Sequence, residues 1–581
     1  MGTDSQKEKL SMVRKYIFIL TLLFFNLAIT SATIERGKTV TANKSMVVTR
    51  HYLATEIGND ILLAGGNAID ASVAVSFALS VVLPQASPLG GGGFMMIHEA
   101  SSGKDFALDY REIAPAKATE DMFIVNGEVN RELALESYLS SGVPGTVYGL
   151  YMAHQKFGNL PWKKLIEPSI LVAEEGFYVT KTLAQSLETN KNKLAKSSST
   201  KKIFFKGNST LKSGDLLIQK DLGNTLRLIA KRGPAGFYKG ITAQKIQSDM
   251  RANNGLITSR DLLKYKAKFR TPITFNYKEL SVVTMPPPSS GGLILGLMFN
   301  MLEEIQLDTN ESLNPENILK ISEIMQIAYS LRSIYLADSD FYEVPINQFL
   351  DKKVAKELLK NINLESSSSV DDFDPIKFKF KENTTHYSIA DKHGNLVSTT
   401  TTLNTAFGSG VVIKDTGVLL NNEMDDFSAA PNQPNYFGLL GTYANRIEPY
   451  KRPLSSMTPT LVFKNGEPYL ITGAQGGSRI ITAVLQIILN YYEFALSAED
   501  SVYKQRYHHQ WQPNYLMHED FDDELVQNLE DKGFNLFLRT PTYDFSNGIT
   551  SSIMFEDGNL IGVSDYRSED YLTIGVSENN E

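Results

Sequence analysis

The chain has 581 residues, which is enough for one or two domains with large hydrophobic cores. Hydrophobic residues make up 42% and charged residues 21%, a balance that excludes disordered, collagenous and coiled-coil proteins. The net charge of -8 argues against a protein that binds the phosphates of nucleic acids. Because there is no cysteine, disulfides, thiolate metal sites and a cysteine nucleophile are excluded, and any catalysis must use an oxygen or nitrogen nucleophile.

Residues 1–32 have the pattern of a secretion signal. Four basic residues precede the apolar run 16–29, and small residues follow it up to Ala32. The run is shorter than the roughly 20 apolar residues of a relaxed membrane-spanning helix, so a cleaved signal is favoured over a permanent anchor, with a buried core helix as a third reading. We therefore expect export to a periplasm or to the outside of the cell.

Apolar periodicity predicts that residues 45–360 are mainly helical. The predicted helices cover 66–83, 160–176, 220–232, 241–253, 289–306 and 315–338. The first of these is apolar enough to pack against a sheet. Residues 273–284 are predicted to form a hairpin, and the polar stretches 190–202 and 363–374 are predicted to be solvated loops.

Strands dominate the pattern beyond residue 384. Three hairpins are predicted from apolar runs around short turn sequences. They join 385–391 to 396–403, 460–463 to 468–472, and 551–555 to 560–564. Residues 479–492 have the length and periodicity of a buried helix, and sheets with helices on their faces indicate a layered mixture of α and β structure.

Thr384 lies where the second polar stretch meets the first of these strands. The local pattern alone is typical of an ordinary strand threonine. If the preceding bond were cut, the freed α-amine could take the proton from the hydroxyl of the same residue, since the pKa of an α-amine in a short peptide is about 7.7 to 8.0. Thr384 would then attack a carbonyl without a histidine base.

Gly476, Gly477 and Ser478 lie between a predicted strand and a predicted helix. Glycines at such a turn can present backbone N–H groups beside the positive end of the helix dipole. They would suit an oxyanion hole, in which one donor contributes on the order of 3 kcal/mol to the barrier. A tight turn that needs glycine is the alternative reading.

Other polar groups have more than one interpretation. The acidic cluster with Glu423, Asp425 and Asp426 could hold a substrate ammonium, bind Ca²⁺, or form a turn. Arg111 is compatible with a bidentate carboxylate clamp, and Ser455 and Ser456 could donate hydrogen bonds to the same carboxylate, although each could equally be an ordinary surface or loop residue.

Two further motifs are assigned no ligand. The run Gly90 to Gly93 lacks the ending of a phosphate-binding loop, so close backbone packing near a site is expected instead. His508 and His509 are adjacent and do not naturally converge on one ion, and we predict no metal site and no cofactor.

The chain resembles the gamma-glutamyltransferase family of the N-terminal nucleophile hydrolase superfamily. The resemblance covers roughly residues 40–575, in the order and spacing of several motifs. These are Gly66-Asn67-Ala68-Ile69-Asp70-Ala71, Pro88-Leu89-Gly90-Gly91-Gly92-Gly93-Phe94, Asp109-Tyr110-Arg111-Glu112 with Ala114-Pro115, Thr384-Thr385-His386-Tyr387-Ser388, Leu403-Asn404, Asn421-Asn422-Glu423-Met424-Asp425-Asp426-Phe427-Ser428, Pro453-Leu454-Ser455-Ser456-Met457 and Gly476-Gly477-Ser478-Arg479.

The resemblance implies an α+β fold with four layers, αββα, formed jointly by two fragments of one precursor. The precursor would cut itself between Asn383 and Thr384, giving a large subunit of 33–383 and a small catalytic subunit of 384–581. Thr384 would then attack the γ-carbonyl of glutathione or another γ-glutamyl compound. The acyl group would pass to water or to an amino acid or peptide.

Residue roles follow from the same resemblance. Thr402 would hydrogen-bond the nucleophile, and Gly476 and Gly477 would supply the oxyanion hole. Arg111, Ser455 and Ser456 would hold the substrate α-carboxylate. Asn404, Glu423 and Asp426 would hold its α-amino group. This division is chemically sensible, since a zwitterionic head needs donors at one end and acceptors at the other.

Glu423 and residues 431–450 fall where members of the family differ from one another. Some bacterial relatives carry glutamine where this chain has Glu423, so this position could tune amine recognition. Residues 431–450, with Tyr436 and Phe437, correspond to a lid that covers the pocket in many members and affects water exclusion. The alternatives are a related glutaryl-type lactam acylase and a noncatalytic secreted binding protein of the same fold.

Overall fold

The computed structural model describes residues 32–87, 89–360, 362–363, 365–367, 384–430, 433–540 and 546–578. The predicted secretion signal, except Ala32, and Asn383 of the predicted cleavage site lie outside the described residues. So does most of the second predicted polar loop. Within the described residues, no helix has the length and apolar character needed to cross a membrane.

Two large antiparallel sheets organise the molecule. Their strands, in chain order, are β1 (Ala32–Gly37), β2 (Thr39–Ala42), β3 (Ser45–Thr49), β4 (Gly92–Glu99), β5 (Lys104–Asp109), β6 (Lys268–Arg270), β7 (Ile273–Tyr277), β8 (Leu280–Thr284), β9 (Thr384–Ala390), β10 (Leu396–Thr402), β11 (Thr460–Lys464), β12 (Glu467–Thr472), β13 (Ala474–Gln475), β14 (Ile549–Glu556), β15 (Asn559–Ser564) and β16 (Leu572–Glu578). The first sheet has the order β1-β16-β3-β9-β10-β4-β5-β6. The second has the order β7-β8-β11-β12-β14-β15-β2, with β13 paired to β14.

The α-helices surround these sheets. They are α1 (Tyr52–Leu63), α2 (Ala68–Val82), α3 (Arg131–Glu136), α4 (Thr146–Phe157), α5 (Trp162–Glu175), α6 (Lys181–Thr189), α7 (Lys191–Leu194), α8 (Ser198–Phe204), α9 (Lys220–Arg232), α10 (Ala235–Tyr238), α11 (Gly240–Ala252), α12 (Ser259–Lys264), α13 (Gly291–Leu302), α14 (Pro315–Tyr335), α15 (Ile346–Phe349), α16 (Lys352–Leu359), α17 (Arg479–Ile488), α18 (Ala498–Tyr503) and α19 (Asp523–Asp531). The six predicted helices and the four predicted hairpins are confirmed. The predicted helix over 479–492 is also confirmed, since α17 continues into a π-helical turn at Leu489–Glu493.

Short strands pair outside the two sheets. They join Ile124–Val125 to Glu128–Val129, Phe177–Tyr178 to Leu216–Leu217, Phe205–Lys206 to Ser209–Thr210, and Tyr507–His508 to Leu516–His518, which also pairs with Leu536–Leu538.

Side-chain alternation along the strands separates three hydrophobic cores. In β4, Met95 and Ile97 join the core under the helices, whereas Phe94 and Met96 join the core between the sheets. In β11, Val462 faces the helices of the second sheet, whereas Leu461 and Phe463 face the first sheet. Because successive strand residues point to opposite faces, each sheet is packed on both sides. The predicted αββα fold is confirmed.

Helix α2 shows why the Gly66 to Ala71 motif is structural. Its fifteen residues are all buried, and it lies on the outer face of the first sheet. Asn67 accepts hydrogen bonds from the backbone N–H groups of Ile69 and Asp70, and the Asp70 carboxylate accepts one from Asn67. This reciprocal cap satisfies the first N–H groups of a helix that has no access to water.

The prediction of a solvated loop over 190–202 is wrong. The stretch forms α7 and the first part of α8, and Leu194, Thr200 and Phe204 are buried. Ser197 caps α8 by accepting the backbone N–H of Thr200. These short helices contact the rest of the molecule through only a few buried side chains. Because the stretch is otherwise polar, its composition predicted a loop instead of helices.

Candidate functional site

Thr384 opens β9 in the middle of the first sheet. It lies opposite Thr402, the last residue of β10, and its side chain is buried. The two hydroxyl oxygens are 3.2 Å apart, and Thr402 Oγ1 accepts a 2.8 Å hydrogen bond from the Asn404 N–H. Arg50, which the sequence analysis did not single out, donates to the Thr384 carbonyl at 2.6 Å. The start of β9 is therefore fixed from both sides.

The glycine run at the start of β4 allows its backbone to approach the end of β10 and the Glu112 side chain closely. A Cβ on Gly91 would lie 2.0 Å from the carbonyl oxygen of Thr402, and one on Gly92 would lie 2.6 Å from Glu112. Any other residue would displace the end of β10 or the Glu112 carboxyl. The predicted role of these glycines in close packing is confirmed.

Arg111 is the charged centre of the site. Its side chain is 1% exposed, and its guanidinium lies 2.6 Å from a Glu423 oxygen and 2.5 Å from an Asp426 oxygen. Glu112 is 3.7 Å away and is fully buried. The carbonyl of Pro453 accepts the Arg111 Nε–H at 3.3 Å. The Arg111 guanidinium therefore faces the fully buried carboxyls of Glu112 and Glu423 and the largely buried carboxyl of Asp426, whose side chain is 11% exposed.

Burial dominates the protonation of these acids. It raises the pKa of Glu112 to about 8, although Arg111 pulls in the opposite direction. Burial also raises the pKa of Glu423 and of Asp426, again against the attraction of Arg111. Because Glu112 is fully buried and lies 3.7 Å from the Arg111 guanidinium, its carboxyl retains a proton at neutral pH.

We expect Glu112→Gln to flatten the pH dependence of stability. The folded-state pKa of about 8 exceeds the unfolded value of 4.5, so the folded protein holds a proton that the unfolded chain releases. This contribution is complete below pH 4.5 and is lost as pH rises through 8. The Tm of the wild type should fall more steeply than that of Glu112→Gln between those pH values, and the variant should be the more stable protein above pH 8.

The control for this measurement is Glu128→Gln, which changes an exposed carboxylate on a surface hairpin. Its Tm profile should follow the wild type. Equal slopes for the wild type and Glu112→Gln would contradict a protonated Glu112.

The remaining predicted polar residues lie around Arg111. Asn404 donates to the Asn422 carbonyl at 3.0 Å, and within the described residues its side-chain oxygen has no hydrogen-bond partner. Ser456 accepts a 3.2 Å hydrogen bond from Arg332, a residue that the sequence analysis missed. Because Arg332 supplies the proton of that bond, the Ser456 hydroxyl hydrogen can be directed to another acceptor.

Gly476 and Gly477 form the turn before α17, as predicted. Their φ angles are 140° and 56°, in a region that favours glycine. A Cβ on Gly477 would lie 2.4 Å from the Phe437 ring, so this aromatic side chain packs directly on the glycine. The turn therefore combines a helix N-terminus with a close apolar cover.

A small cavity brings most of the predicted residues together. Its volume is about 20 Å³, room for roughly one water molecule. Its lining includes Arg111, Thr384, Thr402, Asn404, Glu423, Asp426, Ser455, Ser456 and Gly477, together with Arg332, Phe437, Leu439, Leu454, Met457 and Ile480, which the residue roles above did not include. Gly476 adjoins this lining through Gly477.

The acidic side chains of the cluster at 423–426 form ion pairs with Arg111 and Arg131. Asp425 lies 3.3 Å from Arg131 and accepts the Tyr436 N–H at 2.8 Å. Among the described residues, no group of three or more histidine or acidic side chains could hold a metal ion. His508 instead contacts Thr482 and Gln510 through its two ring nitrogens.

Two stacked sheets between helical layers, with a threonine that opens a central strand at a charged cavity, define an N-terminal nucleophile hydrolase. The Gamma-glutamyltranspeptidase family model matches residues 54–574. The chain belongs to the gamma-glutamyltranspeptidase family and is an enzyme of γ-glutamyl transfer and hydrolysis.

Relatives and solved structures agree with this assignment. The chain is 44% identical over 542 residues to the glutathione hydrolase proenzyme of Escherichia coli (strain K12), covering 92% of each chain. The structure of Helicobacter pylori gamma-glutamyltranspeptidase has 42% identity and a TM-score of 0.54, over 55% of this chain and 91% of that one. Cephalosporin acylase from Bacillus halodurans has 26% identity and a TM-score of 0.83, over 93% of this chain and 97% of that one.

Proposed function

We propose that this enzyme is a self-processing glutathione hydrolase and γ-glutamyltransferase in which Thr384 is the nucleophile. The observation that carries the proposal is the position of Thr384, which opens a central strand, lies 3.2 Å from the Thr402 hydroxyl and lines the same cavity as Arg111. The name of the Escherichia coli relative, a glutathione hydrolase proenzyme, supports both the substrate and the processing.

Processing begins with the Thr384 hydroxyl. Its oxygen attacks the carbonyl carbon of Asn383, the amide nitrogen of Thr384 leaves, and an ester forms. Water opens the ester, which leaves a carboxylate on Asn383 and a free α-amine on Thr384. The hydrogen bond from Arg50 to the Thr384 carbonyl would hold this backbone in place during both steps.

The mature nucleophile then acts on substrate. The α-amine accepts the hydroxyl proton as Thr384 Oγ1 bonds to the γ-carbonyl carbon, and Thr402 holds the attacking oxygen. The N–H groups of Gly476 and Gly477 stabilise the negative oxygen of the tetrahedral intermediate. The Thr384 α-ammonium group gives this proton to the nitrogen of the substrate amide, the C–N bond breaks and the amine of the substrate leaves. Water or an amino acid or peptide then takes the acyl group from the ester.

The charges around Arg111 suit the head of a γ-glutamyl group. Arg111, Ser455 and Ser456 would bind the α-carboxylate, and Asn404, Glu423 and Asp426 would bind the α-ammonium group. The side-chain oxygen of Asn404, which has no hydrogen-bond partner among the described residues, offers an acceptor for that ammonium. Because Arg111 lies within ion-pair distance of Glu423 and Asp426, a bound zwitterion would place its carboxylate on Arg111 and its ammonium group on the two acids.

Cleavage would leave two fragments that stay together. The strand β9, which begins the small fragment, lies between β3 of the large fragment and β10 of the small one. Strand β16 of the small fragment likewise lies between β1 and β3. Separation would expose these strand edges and the cores to which both fragments contribute, so we propose a stable heterodimer of 33–383 and 384–581. Residues 1–32 would direct export and be removed during it.

The test combines mass and activity on purified wild-type protein. We expect two polypeptides, the smaller beginning at Thr384 and the larger at Thr33 when produced with an export pathway. Release of p-nitroaniline should be fast from γ-glutamyl-p-nitroanilide and slow from glutaryl-p-nitroanilide, which lacks the α-ammonium group. A preference for the glutaryl compound would favour the acylase, and an intact inactive chain would favour the binding protein.

A further inference from the structure

The side chain of Gln510 joins two parts of the site that are distant in sequence. It is 2% exposed, and all four hydrogen-bonding positions of its amide are used. Its oxygen accepts from the Ser478 hydroxyl at 2.5 Å and lies 2.9 Å from His508 Nε2. Its nitrogen donates to the Phe437 carbonyl at 3.0 Å and to the Gln512 carbonyl at 3.1 Å.

The first of these partners belongs to the glycine turn. Ser478 directly follows Gly477 and immediately precedes α17. Its own carbonyl accepts a 2.5 Å hydrogen bond from the Tyr329 hydroxyl. Ser478 is thus fixed by its side chain and by its backbone, which makes it a firm anchor for Gln510.

Phe437, another of these partners, belongs to the segment 433–439, which we call the cover segment. Phe437 packs on Gly477, where a Cβ would lie 2.4 Å from its ring. The other end of the cover segment is held by Asn435, which donates to Asp426 at 3.2 Å. The cover segment therefore spans the cavity from the acidic side to the glycine turn, and Gln510 fixes its glycine side.

Because the cavity is small, the hydrogen bond that attaches the cover segment to Gln510 affects access to Thr384. Phe437 and Leu439 of the cover segment line this narrow cavity beside Gly477, so the position of the cover segment affects what reaches Thr384. After acylation, the position of Phe437 decides how freely water reaches the ester beside Gly477. An acceptor amine competes with that water for the same carbonyl carbon.

We propose that Gln510 is a positioning residue that holds Phe437 over Gly477 and so favours transfer to amine acceptors over hydrolysis. The inference rests on the proposed function, since it concerns the fate of the γ-glutamyl ester on Thr384. In either outcome the ester C–O bond breaks, the acyl carbon bonds to the oxygen of water or the nitrogen of the acceptor, and a proton returns to Thr384 Oγ1.

The experiment compares Gln510→Met with a matched variant, Gln486→Met. Gln486 is also buried, and its amide makes three hydrogen bonds, to the Thr482 and Tyr507 backbones, but it contacts neither Ser478 nor the cover segment. Both variants lose a buried amide, so a general loosening of the core would affect both. The readout is the ratio of γ-glutamyl-glycylglycine to glutamate formed from γ-glutamyl-p-nitroanilide at a fixed glycylglycine concentration.

We expect the product ratio to fall at least about threefold in Gln510→Met and to remain at the wild-type value in Gln486→Met. The KM for glycylglycine should rise in Gln510→Met, whereas the kcat for p-nitroaniline release without acceptor should change less. Gln510→Glu keeps an oxygen for Ser478 but loses the N–H donors to Phe437 and Gln512, so it should also lower the ratio.

An unchanged ratio in Gln510→Met, or an equal fall in Gln486→Met, overturns the proposal. If Gln510→Met does not accumulate as processed protein, Gln510→Glu decides, and a wild-type ratio in that variant also overturns it. Failure of the proposed function looks different, because the wild type itself would then release no γ-glutamyl product.

Discussion

Replacing Thr384 with alanine is expected to leave one uncleaved chain with no measurable γ-glutamyl activity. The change removes the hydroxyl that attacks the preceding carbonyl, so neither the ester nor the free α-amine forms. Loss of a nucleophile lowers kcat on the order of 10⁴-fold or more, and here the base is lost with it. Intact mass and p-nitroaniline release, measured on the same preparation, check both effects.

Two neighbouring variants make this result interpretable. Thr384→Ser keeps a hydroxyl and should still process, at a lower rate. Thr385→Ala removes an equally buried hydroxyl whose oxygen has no hydrogen-bond partner in the described part of the chain, and it should process and react like the wild type. Activity in Thr384→Ala, or failure of Thr385→Ala to process while folded, would exclude Thr384 as the specific nucleophile.

Local sequence signals predicted much of the fold. The turns at Asn465-Gly466 and Asp557-Gly558 have positive φ at both residues, so these turn residues identified two hairpins of the second sheet correctly. Helix α2 is predictable because the run 66–83, rich in alanine, valine, isoleucine and leucine, is too apolar for a surface helix. In both cases, the information lies within a few neighbouring residues.

The order of the strands could not be predicted from the residues alone. Strand β1 pairs with β16 across more than 500 residues, and β2 pairs with β15 in the other sheet. No local pattern encodes such pairings, which depend on how complete layers pack. The αββα arrangement was therefore available only through family resemblance.

The candidate site also combines residues that motifs predict with residues whose role depends on long-range packing. Motifs identified Thr384, Arg111 and Glu423 because they recur in a recognisable order. Arg332 and Gln510 lie in segments without a distinctive pattern, and their contacts to Ser456, Ser478 and Phe437 arise only from the packing of α14 and the loop after Tyr507–His508. Buried polar side chains with long-range partners are thus the residues that sequence reasoning most readily misses.

Arg111→Gln is expected to weaken γ-glutamyl recognition strongly and to destabilise the protein. The guanidinium would bind the substrate carboxylate, and its removal also leaves Glu423 and Asp426 without their buried cation. Breaking a buried pair by removing one partner costs about 3–5 kcal/mol. We expect kcat/KM to fall by about 10²–10³-fold, mainly through KM, together with a lower Tm.

A second substitution separates these two effects. Arg111→Gln combined with Glu423→Gln removes one of the stranded buried charges, so Tm should recover in part, whereas kcat/KM should stay low because the carboxylate still lacks its cation. Arg111→Lys retains the charge without the planar fork and should fall between the wild type and Arg111→Gln in KM. Recovery of kcat/KM along with Tm in the double variant would mean that Arg111 acts through stability, and the assignment of the carboxylate to Arg111 would have to be abandoned.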